Sequence, residues 1–315
     1  MPLLLMHLRL TIAAALMVVT GAHASPSPDS TCADCVIPLY YDSDLVKQGF
    51  PSPLVHLRIG DHDAAFIIDT GASVSTFATW FTQDAEVSVQ DSTATAVGST
   101  GVKSTVRTAS DISGVLENRI PIHIQQAIVV DFPPIFKTNR LGGLLSPQLF
   151  AANGRAAILD LRVPSLRFKP FNSAVAELGF KKLNPSDQTH VCVNHDSQFV
   201  NRLYQVAISV AGAAGTMLLD TGATRTLVTA NSRIGQSLGQ RSTEEQHSQG
   251  VGGAMQKNRT VSRVQLNFMG QEIPLRSITI GASSSDCGPD GLVGMDVLRS
   301  CVLVLDTTRA TVKCI

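Results

Sequence analysis

Two stretches of the chain alternate apolar and polar residues with a period of two. They carry Val55, Leu57 and Ile59 in the first half, and Val206, Ile208 and Val210 in the second. Each is followed by a fully apolar run, at 66–68 and at 217–219. Alternation predicts a half-buried β-strand, and a short apolar run fits a strand that is buried on both faces.

The remaining pattern predicts more strands and little helix. Short segments rich in Val, Ile and Thr are separated by Gly and Pro, which is typical of strands joined by turns. Helical signals are brief and fall at 147–150 and 295–298, with Gly154 as a stop for the first. The sequence therefore predicts an all-β fold with a few short helices.

The two patterns are parts of an internal duplication. The octet at 66–73 recurs at 217–224, so that Asp69 corresponds to Asp220 with an offset of 151. The alternating strands share this offset, and three further matches follow in the same order: 120–122 with 273–275, 143–146 with 291–294, and 158–160 with 304–306. Five ordered matches predict two homologous lobes related by a pseudo-two-fold axis.

These matches place the lobes at 36–170 and 190–315, joined by a connector at 171–189. The segment before the first lobe predicts export. Arg9, an apolar stretch and a small-x-small motif at 22–24 are typical of a cleaved signal peptide over 1–24, followed by a flexible lead-in at 25–35. The alternative is an uncleaved membrane anchor, although the apolar run is short for a bilayer span. The expected location is secreted, periplasmic or extracellular.

The composition limits the kinds of molecule that the protein is expected to bind, and it bears on its cysteines. The chain has 25 basic and 25 acidic residues and no basic run, which does not favour nucleic acid or an anionic membrane surface. The six cysteines, an even number in an exported chain, predict disulfides. A two-residue turn at 307–308 would place Cys301 opposite Cys314 in a hairpin, whereas the spacing of Cys32 and Cys35 favours a structural role.

Each repeat leads an apolar strand into Asp-Thr-Gly. A carboxylate at the end of a buried strand is costly unless something stabilises it. Gly71 and Gly222 permit a tight loop, and the hydroxyls of Thr70 and Thr221 can lock it. Two carboxyl groups brought together by a pseudo-two-fold axis would share a proton. One would then act as a base and the other as an acid, and the pair would activate a water.

Over both lobes the chain resembles the pepsin and retropepsin superfamily of aspartic proteases, because it has two Asp-Thr-Gly-Ala-Ser/Thr loops, each followed by a Gly-apolar-apolar step. The resemblance implies that Asp69 and Asp220 are the catalytic dyad of an endopeptidase. It implies that Thr70 and Thr221 join the lobes beneath the dyad. The supporting loop residues are Thr70, Gly71, Ser73, Thr221, Gly222 and Thr224.

Several features depart from the pepsin pattern. Ala72 and Ala223 replace the hydroxyl residue that follows Asp-Thr-Gly in pepsin-like enzymes, as in retropepsins. Losing a hydrogen bond to the charged carboxyl raises its pKa, so we expect an optimum at roughly pH 4 to 6. No tyrosine lies between Asp69 and Phe150; instead, glycine-rich tips predict two symmetric flaps. The tips comprise Gly98, Ser99 and Gly101 in the first lobe, and Gly250, Gly252 and Gly253 in the second.

Ser146 takes the place of the glycine at 294, so we expect the packing behind the two loops to differ. We expect no cofactor and no metal site, because the histidine pairs lack zinc-motif context. The expected partner is a polypeptide substrate, with no membrane insertion after signal cleavage, and the expected state is a monomer. The alternative function is a binding or inhibitory module that keeps the protease fold without turnover.

Overall fold

The computed structural model describes residues 35–97, 103–150, 154–179, 189–194, 201–241, 244–249, 255–282 and 288–314. Strands dominate these ranges, and they form two barrel-like sheets and one smaller sheet. The prediction of an all-β fold with two lobes and a few short helices is confirmed. The predicted signal peptide, nearly all of the lead-in and both flap tips lie outside the described residues.

In the first half of the chain the strands are β1 (Val36–Pro38), β2 (Leu54–Ile59), β3 (His62–Ile68), β4 (Thr76–Ala78), β5 (Gln90–Val97), β6 (Lys103–Leu116), β7 (Ile120–Val130), β8 (Leu141–Leu145), β9 (Arg155–Asp160) and β10 (Ser165–Pro170). The helices are α1 (Ser43–Lys47), α2 (Thr79–Asp84), α3 (Pro134–Thr138) and α4 (Phe171–Glu177). A 3-10 turn at Pro147–Leu149 coincides with the first predicted helical signal.

In the second half the strands are β11 (His190–Asn194), β12 (Asn201–Val210), β13 (Ala213–Leu219), β14 (Leu227–Thr229), β15 (Glu244–Gln249), β16 (Met255–Phe268), β17 (Gln271–Gly281), β18 (Gly291–Val293), β19 (Cys301–Leu305) and β20 (Ala310–Cys314). The helices are α5 (Arg233–Gly239) and α6 (Met295–Leu298), of which α6 coincides with the second predicted signal.

The two large sheets have the same strand order. The first lobe reads β2-β3-β8-β4-β7-β6-β5, and the second reads β12-β13-β18-β14-β17-β16-β15, with β11 added at its edge. An extra pairing, β2 with β6 and β12 with β16, curls each sheet towards a barrel. The alternation in the sequence has its cause here, since Val55, Leu57, Val206 and Val210 are fully or almost fully buried in the core.

The third sheet combines strands from both halves of the chain, in the order β1-β10-β9-β19-β20. The hairpin β19-β20 has the predicted register, with Cys301 opposite Cys314 and Leu305 opposite Ala310. A disulfide joins Cys301 to Cys314, which confirms that predicted pairing. Cys35 and Cys192 each take part in a disulfide as well. None of the helices in the described ranges is long and apolar enough to cross a membrane.

Candidate active site

The two Asp-Thr-Gly loops begin where a buried strand ends. β3 runs parallel to β8, and the Asp69 N–H donates to the carbonyl of Leu145 at 3.0 Å. In the second lobe β13 runs parallel to β18, and the Asp220 N–H donates to the carbonyl of Val293 at 3.0 Å. Both aspartates are therefore fixed at the same point of the same strand arrangement.

Glycines make this arrangement sterically possible. A Cβ atom at Gly143 would lie 2.0 Å from the carbonyl oxygen of Thr76, and one at Gly291 would lie 2.1 Å from that of Leu227. These distances are shorter than any real Cβ contact, so only glycine lets β8 pass β4 and β18 pass β14 this closely. The Gly-apolar-apolar step in each repeat thus has a steric cause.

The threonines of the two loops form a reciprocal set of hydrogen bonds between the lobes. The Thr70 hydroxyl donates to the carbonyl of Leu219 at 2.7 Å, and the Thr221 hydroxyl donates to that of Ile68 at 2.6 Å. Each hydroxyl oxygen also accepts the backbone N–H of the other threonine at 3.0 Å. All four bonds are buried, so the structure brings the two loops together as the resemblance implied.

The carboxyl groups of Asp69 and Asp220, here called the carboxyl pair, face each other across this contact. A Cβ atom on Gly71 would lie 2.6 Å from Cγ of Asp220, and one on Gly222 would lie 2.6 Å from Cγ of Asp69. Each loop glycine therefore packs directly against the carboxyl group of the other lobe. Both aspartates are 0% exposed.

Hydrogen bonds within the loops orient the two carboxyl groups. The Gly71 N–H donates to Oδ1 of Asp69 at 2.8 Å, and the Ala223 N–H donates to Oδ1 of Asp220 at 2.9 Å. The two carboxyl groups also act on each other electrostatically, since the charge of Asp69 raises the pKa of Asp220.

Burial determines the overall titration of the carboxyl pair. It raises the pKa of Asp69 to about 6, an effect that the hydrogen bond from Gly71 partly offsets. The pKa of Asp220 is raised well above its ordinary value, first by burial and then by the charge of Asp69. One proton is therefore shared over a broad range of pH, which leaves one basic and one acidic group side by side.

Of the remaining predicted site residues, two lie within the described residues and the six flap-tip residues do not. Ser73 and Thr224 are buried, at 7% and 5% exposure, beside the loops that they follow. The six tip residues at 98, 99, 101, 250, 252 and 253 lie outside the described residues. The strands on either side of each tip pair antiparallel, Val97 with Lys103 and Gln249 with Met255. Two flaps stay a prediction.

The resemblance implied that the segments 143–146 and 291–294 pack behind the loops, but sequence reasoning missed the side chains of Ser75, Thr226 and Asp296 that bond there. In the first lobe the Ser146 N–H donates to Oγ of Ser75 at 3.2 Å, and in the second the Gly294 N–H donates to Oγ1 of Thr226 at 3.2 Å. Only the second lobe adds a carboxylate: Oδ1 of Asp296 accepts the N–H and the hydroxyl of Thr226 at 2.8 and 2.7 Å. Burial raises the pKa of Asp296. The repeat offset would have marked positions 75 and 226.

No group of three or more His, Cys, Asp and Glu side chains that could hold a metal ion occurs in the part of the chain that the structure describes. The family model described as aspartyl protease matches the chain twice, at 55–145 and at 206–297. Each match begins at the alternating strand of one lobe and contains one Asp-Thr-Gly loop. No curated protein matches the chain.

Proposed function

The chain belongs to the aspartyl protease family, and from that premise we propose that it is an active endopeptidase with Asp69 and Asp220 as its catalytic dyad. The observation that carries the proposal is the carboxyl pair itself. Two fully buried carboxyl groups are each packed against the glycine of the opposite loop, and the charge of one raises the pKa of the other. A structural carboxylate gains nothing from a second carboxylate beside it in a buried site, whereas acid–base chemistry needs both.

In the proposed mechanism the ionised Asp69 removes a proton from a water molecule held between the two carboxyl groups. That water attacks the carbonyl carbon of the scissile peptide bond. Asp220 donates its proton to the carbonyl oxygen, which gives a neutral tetrahedral diol. Asp69, now protonated, then protonates the leaving amine as the C–N bond breaks and the diol returns a proton to Asp220. The products are a carboxylic acid and an amine, and no covalent enzyme intermediate forms.

The pH optimum follows from the titration of the pair. The proposed reaction needs exactly one proton on the pair, so activity falls when Asp69 also becomes protonated. Because burial raises the pKa of Asp69 to about 6, the form with one proton predominates above that pH, and we place the optimum at about pH 6 or just above it, at the upper limit of the expected range of roughly pH 4 to 6. Neither Ala72 nor Ala223 carries a hydroxyl that could stabilise the charged form and lower that pKa.

The test is cleavage of a denatured protein from pH 3 to 7, with and without pepstatin. Wild type is compared with Asp69→Asn and Asp220→Asn, and with Asp61→Asn as a matched control on an exposed turn. Both dyad variants should lose at least roughly a thousandfold in kcat/KM, because members of such a pair act as a unit. Asp61→Asn should retain full activity. A folded wild type that cleaves nothing would leave a binding module with a protease fold.

We also propose that the protein is exported by the signal at 1–24, acts as a monomer and needs no membrane insertion afterwards. The disulfide between Cys301 and Cys314 supports an oxidising compartment. Two lobes that together supply both carboxyl groups remove the need for a second chain at the site. N-terminal sequencing of the mature protein tests the first point, since a chain that still begins at Met1 would contradict it. Sedimentation tests the second.

A further inference from the structure

A free cation lies just beyond the second Asp-Thr-Gly loop. Arg225 is exposed, although its neighbours Thr224 and Thr226 are 5% and 0% exposed. Within the described residues its guanidinium takes part in no hydrogen bond and no ion pair. Its charge acts on Asp296, which is buried and already bonded to Thr226. The backbone of Arg225 passes so close to Gly294 that a Cβ atom there would lie 2.5 Å from its carbonyl carbon.

The pseudo-symmetric position in the first lobe is apolar. Position 74 corresponds to 225 with the same offset of 151 that separates the aspartates, and it holds Val74. Val74 is 8% exposed and belongs to an apolar cluster that includes Ala72, Val106, Ile128 and Phe136. The surroundings of position 74 in the first lobe are therefore apolar.

The positions of the second lobe that correspond to this apolar cluster include polar residues. Arg107 pairs with Val129 in the first lobe as Arg259 pairs with Ile280 in the second. This register makes Asn258 the counterpart of Val106, and Thr279 the counterpart of Ile128. The two sides of the site therefore differ in chemistry even though their backbones correspond.

Geometry places Arg225 within reach of a bound chain. Arg225 lies in the bend between the second Asp-Thr-Gly loop and β14, where Ala223 and Leu227 on either side belong to the small buried cluster behind the loop. Arg225 is the exposed margin of this loop, five residues after Asp220. An extended substrate advances about 3.3 Å per residue, so side chains two to four residues from the scissile bond lie roughly 7–13 Å from it. A long arginine side chain at this margin covers that zone.

We propose that Arg225 is a specificity-determining residue that binds an acidic side chain of the substrate, two to four residues from the scissile bond and on one side of it only. This inference rests on the proposed protease function. The substrate class is polypeptides that carry a carboxylate on the second-lobe side of the cleavage point. Arginine is suited to this role because its planar guanidinium binds a carboxylate through two parallel hydrogen bonds.

The experiment measures selectivity rather than activity alone. Cleavage sites are first mapped in a peptide mixture by mass spectrometry, and a good substrate is then made in Glu and Gln versions at each nearby position. At pH 6, where Glu is ionised, wild type should prefer Glu over Gln about tenfold in kcat/KM at one position, and sodium chloride should reduce the preference. Arg225→Met should bring the ratio to about one, and Arg225→Lys should restore part of it.

Arg276→Gln removes a charge from the exposed face of β17 in the same lobe and serves as the matched control. It should leave the Glu to Gln ratio at its wild-type value. A wild-type ratio near one at every position, or a ratio that survives Arg225→Met, would overturn the inference. Loss of selectivity in Arg276→Gln as well would show that the effect is general charge and would also overturn it.

A binding measurement separates this inference from the proposed function. The same Glu and Gln peptides, labelled with a fluorophore, are titrated into Asp220→Asn and into Asp220→Asn with Arg225→Met. A Glu preference that requires Arg225 supports the inference even if wild type cleaves no peptide, in which case only the protease proposal fails. Equal binding of both peptides by both variants, together with normal cleavage by wild type, rejects Arg225 and leaves the protease proposal standing.

Discussion

The two lobes share one backbone fold, but they differ in the side chains that pack behind the two Asp-Thr-Gly loops. Both lobes have the same strand order, an Asp-Thr-Gly loop at the same position, and a threonine hydroxyl that donates to a carbonyl of the other lobe. Behind the loops the first lobe has Ser75 and Ser146, whereas the second has Thr226, Gly294 and the buried carboxyl of Asp296. Symmetry is thus kept where the two halves must meet, and it is lost where each half faces its own surroundings.

The largest effects should come from the point of closest contact, and they should be equal in the two lobes. In Gly71→Ala or Gly222→Ala the new methyl group would lie 2.6 Å from the opposite carboxyl carbon, so the carboxyl pair must separate. We expect each variant to lose at least about a hundredfold in kcat/KM, measured on one peptide substrate. A large loss in only one of them would contradict the symmetry of the site.

Gly239→Ala is the control for these variants. Its Cβ atom would meet only the flexible end of Arg259, at 3.3 Å, on helix α5. Alanine is also the better helix former, so this variant should keep its activity and unfold at the same or a slightly higher denaturant concentration. A loss here would show that any added methyl group in this protein is harmful.

The threonine contact between the lobes should give the next largest effect. Thr70→Val and Thr221→Val keep the shape of the side chain, but each leaves one buried N–H and one buried carbonyl in the opposite lobe without a partner. We expect each to lower the free energy of unfolding by about 2–4 kcal/mol, measured by urea denaturation. The double variant should cost less than the sum, because both hydroxyls belong to one network.

Thr82→Val tests whether this cost belongs to the contact between lobes. Its hydroxyl is also buried but makes a single bond, to the carbonyl of Thr79 within helix α2. We expect a loss of about 1 kcal/mol or less. If Thr82→Val were as damaging as Thr70→Val, the reciprocal bonds would have no special role in joining the lobes.

How far the sequence predicts this molecule depends on which residues repeat. The octet around each aspartate, the alternating strands and the hairpin at Cys301 were predictable because each rests on a local period or on an exact recurrence. The boundaries of the lobes stay a prediction. The connector, for example, contains helix α4 (Phe171–Glu177), which no pattern indicated and which packs beside β9 and β19.

The asymmetric features were out of reach because they come from tertiary contacts. The burial of Asp296 depends on its position behind Thr226, 70 residues earlier in the chain. Likewise, the sequence shows that position 74 is apolar and position 225 is charged, but only the fold shows that these two positions correspond and that Arg225 is exposed between buried neighbours. Prediction from the pattern therefore recovers the symmetric frame, and the structure supplies the differences between the lobes.

A smaller effect should separate the two hairpins of the third sheet. In the second half of the chain Cys301 and Cys314 form a disulfide, whereas in the first half the corresponding pair is Arg155 and Pro170, and the Arg155 guanidinium lies 5.7 Å from the centre of the Phe168 ring. Replacing both cysteines with serine opens a link across 13 residues and should cost roughly 3 kcal/mol. Arg155→Ala should cost about 1 kcal/mol or less. Equal costs would mean that the disulfide adds nothing to the hairpin.

The smallest effect measures the coupling between the two members of the carboxyl pair through the pH dependence of stability. A carboxyl group whose pKa is raised by folding stabilises the fold fully only below its ordinary pKa of 3.8, and this contribution is lost as the pH rises towards the folded value. For Asp69 the loss should be complete near pH 6, where its pKa lies. For Asp220, whose pKa is raised further by the charge of Asp69, the loss should continue above pH 6.

Urea denaturation at pH 4, 5, 6, 7 and 8 follows this difference. Between pH 6 and 7 wild type should still lose stability, whereas Asp69→Asn and Asp220→Asn should both lose much less, a difference on the order of 1 kcal/mol, because each variant lacks the partner carboxyl group whose charge raises the second pKa of the pair. Asp61→Asn, which removes an exposed carboxyl group, should follow wild type throughout. If either single variant kept the wild-type loss of stability above pH 6, the charge of one carboxyl group would not be what raises the pKa of the other.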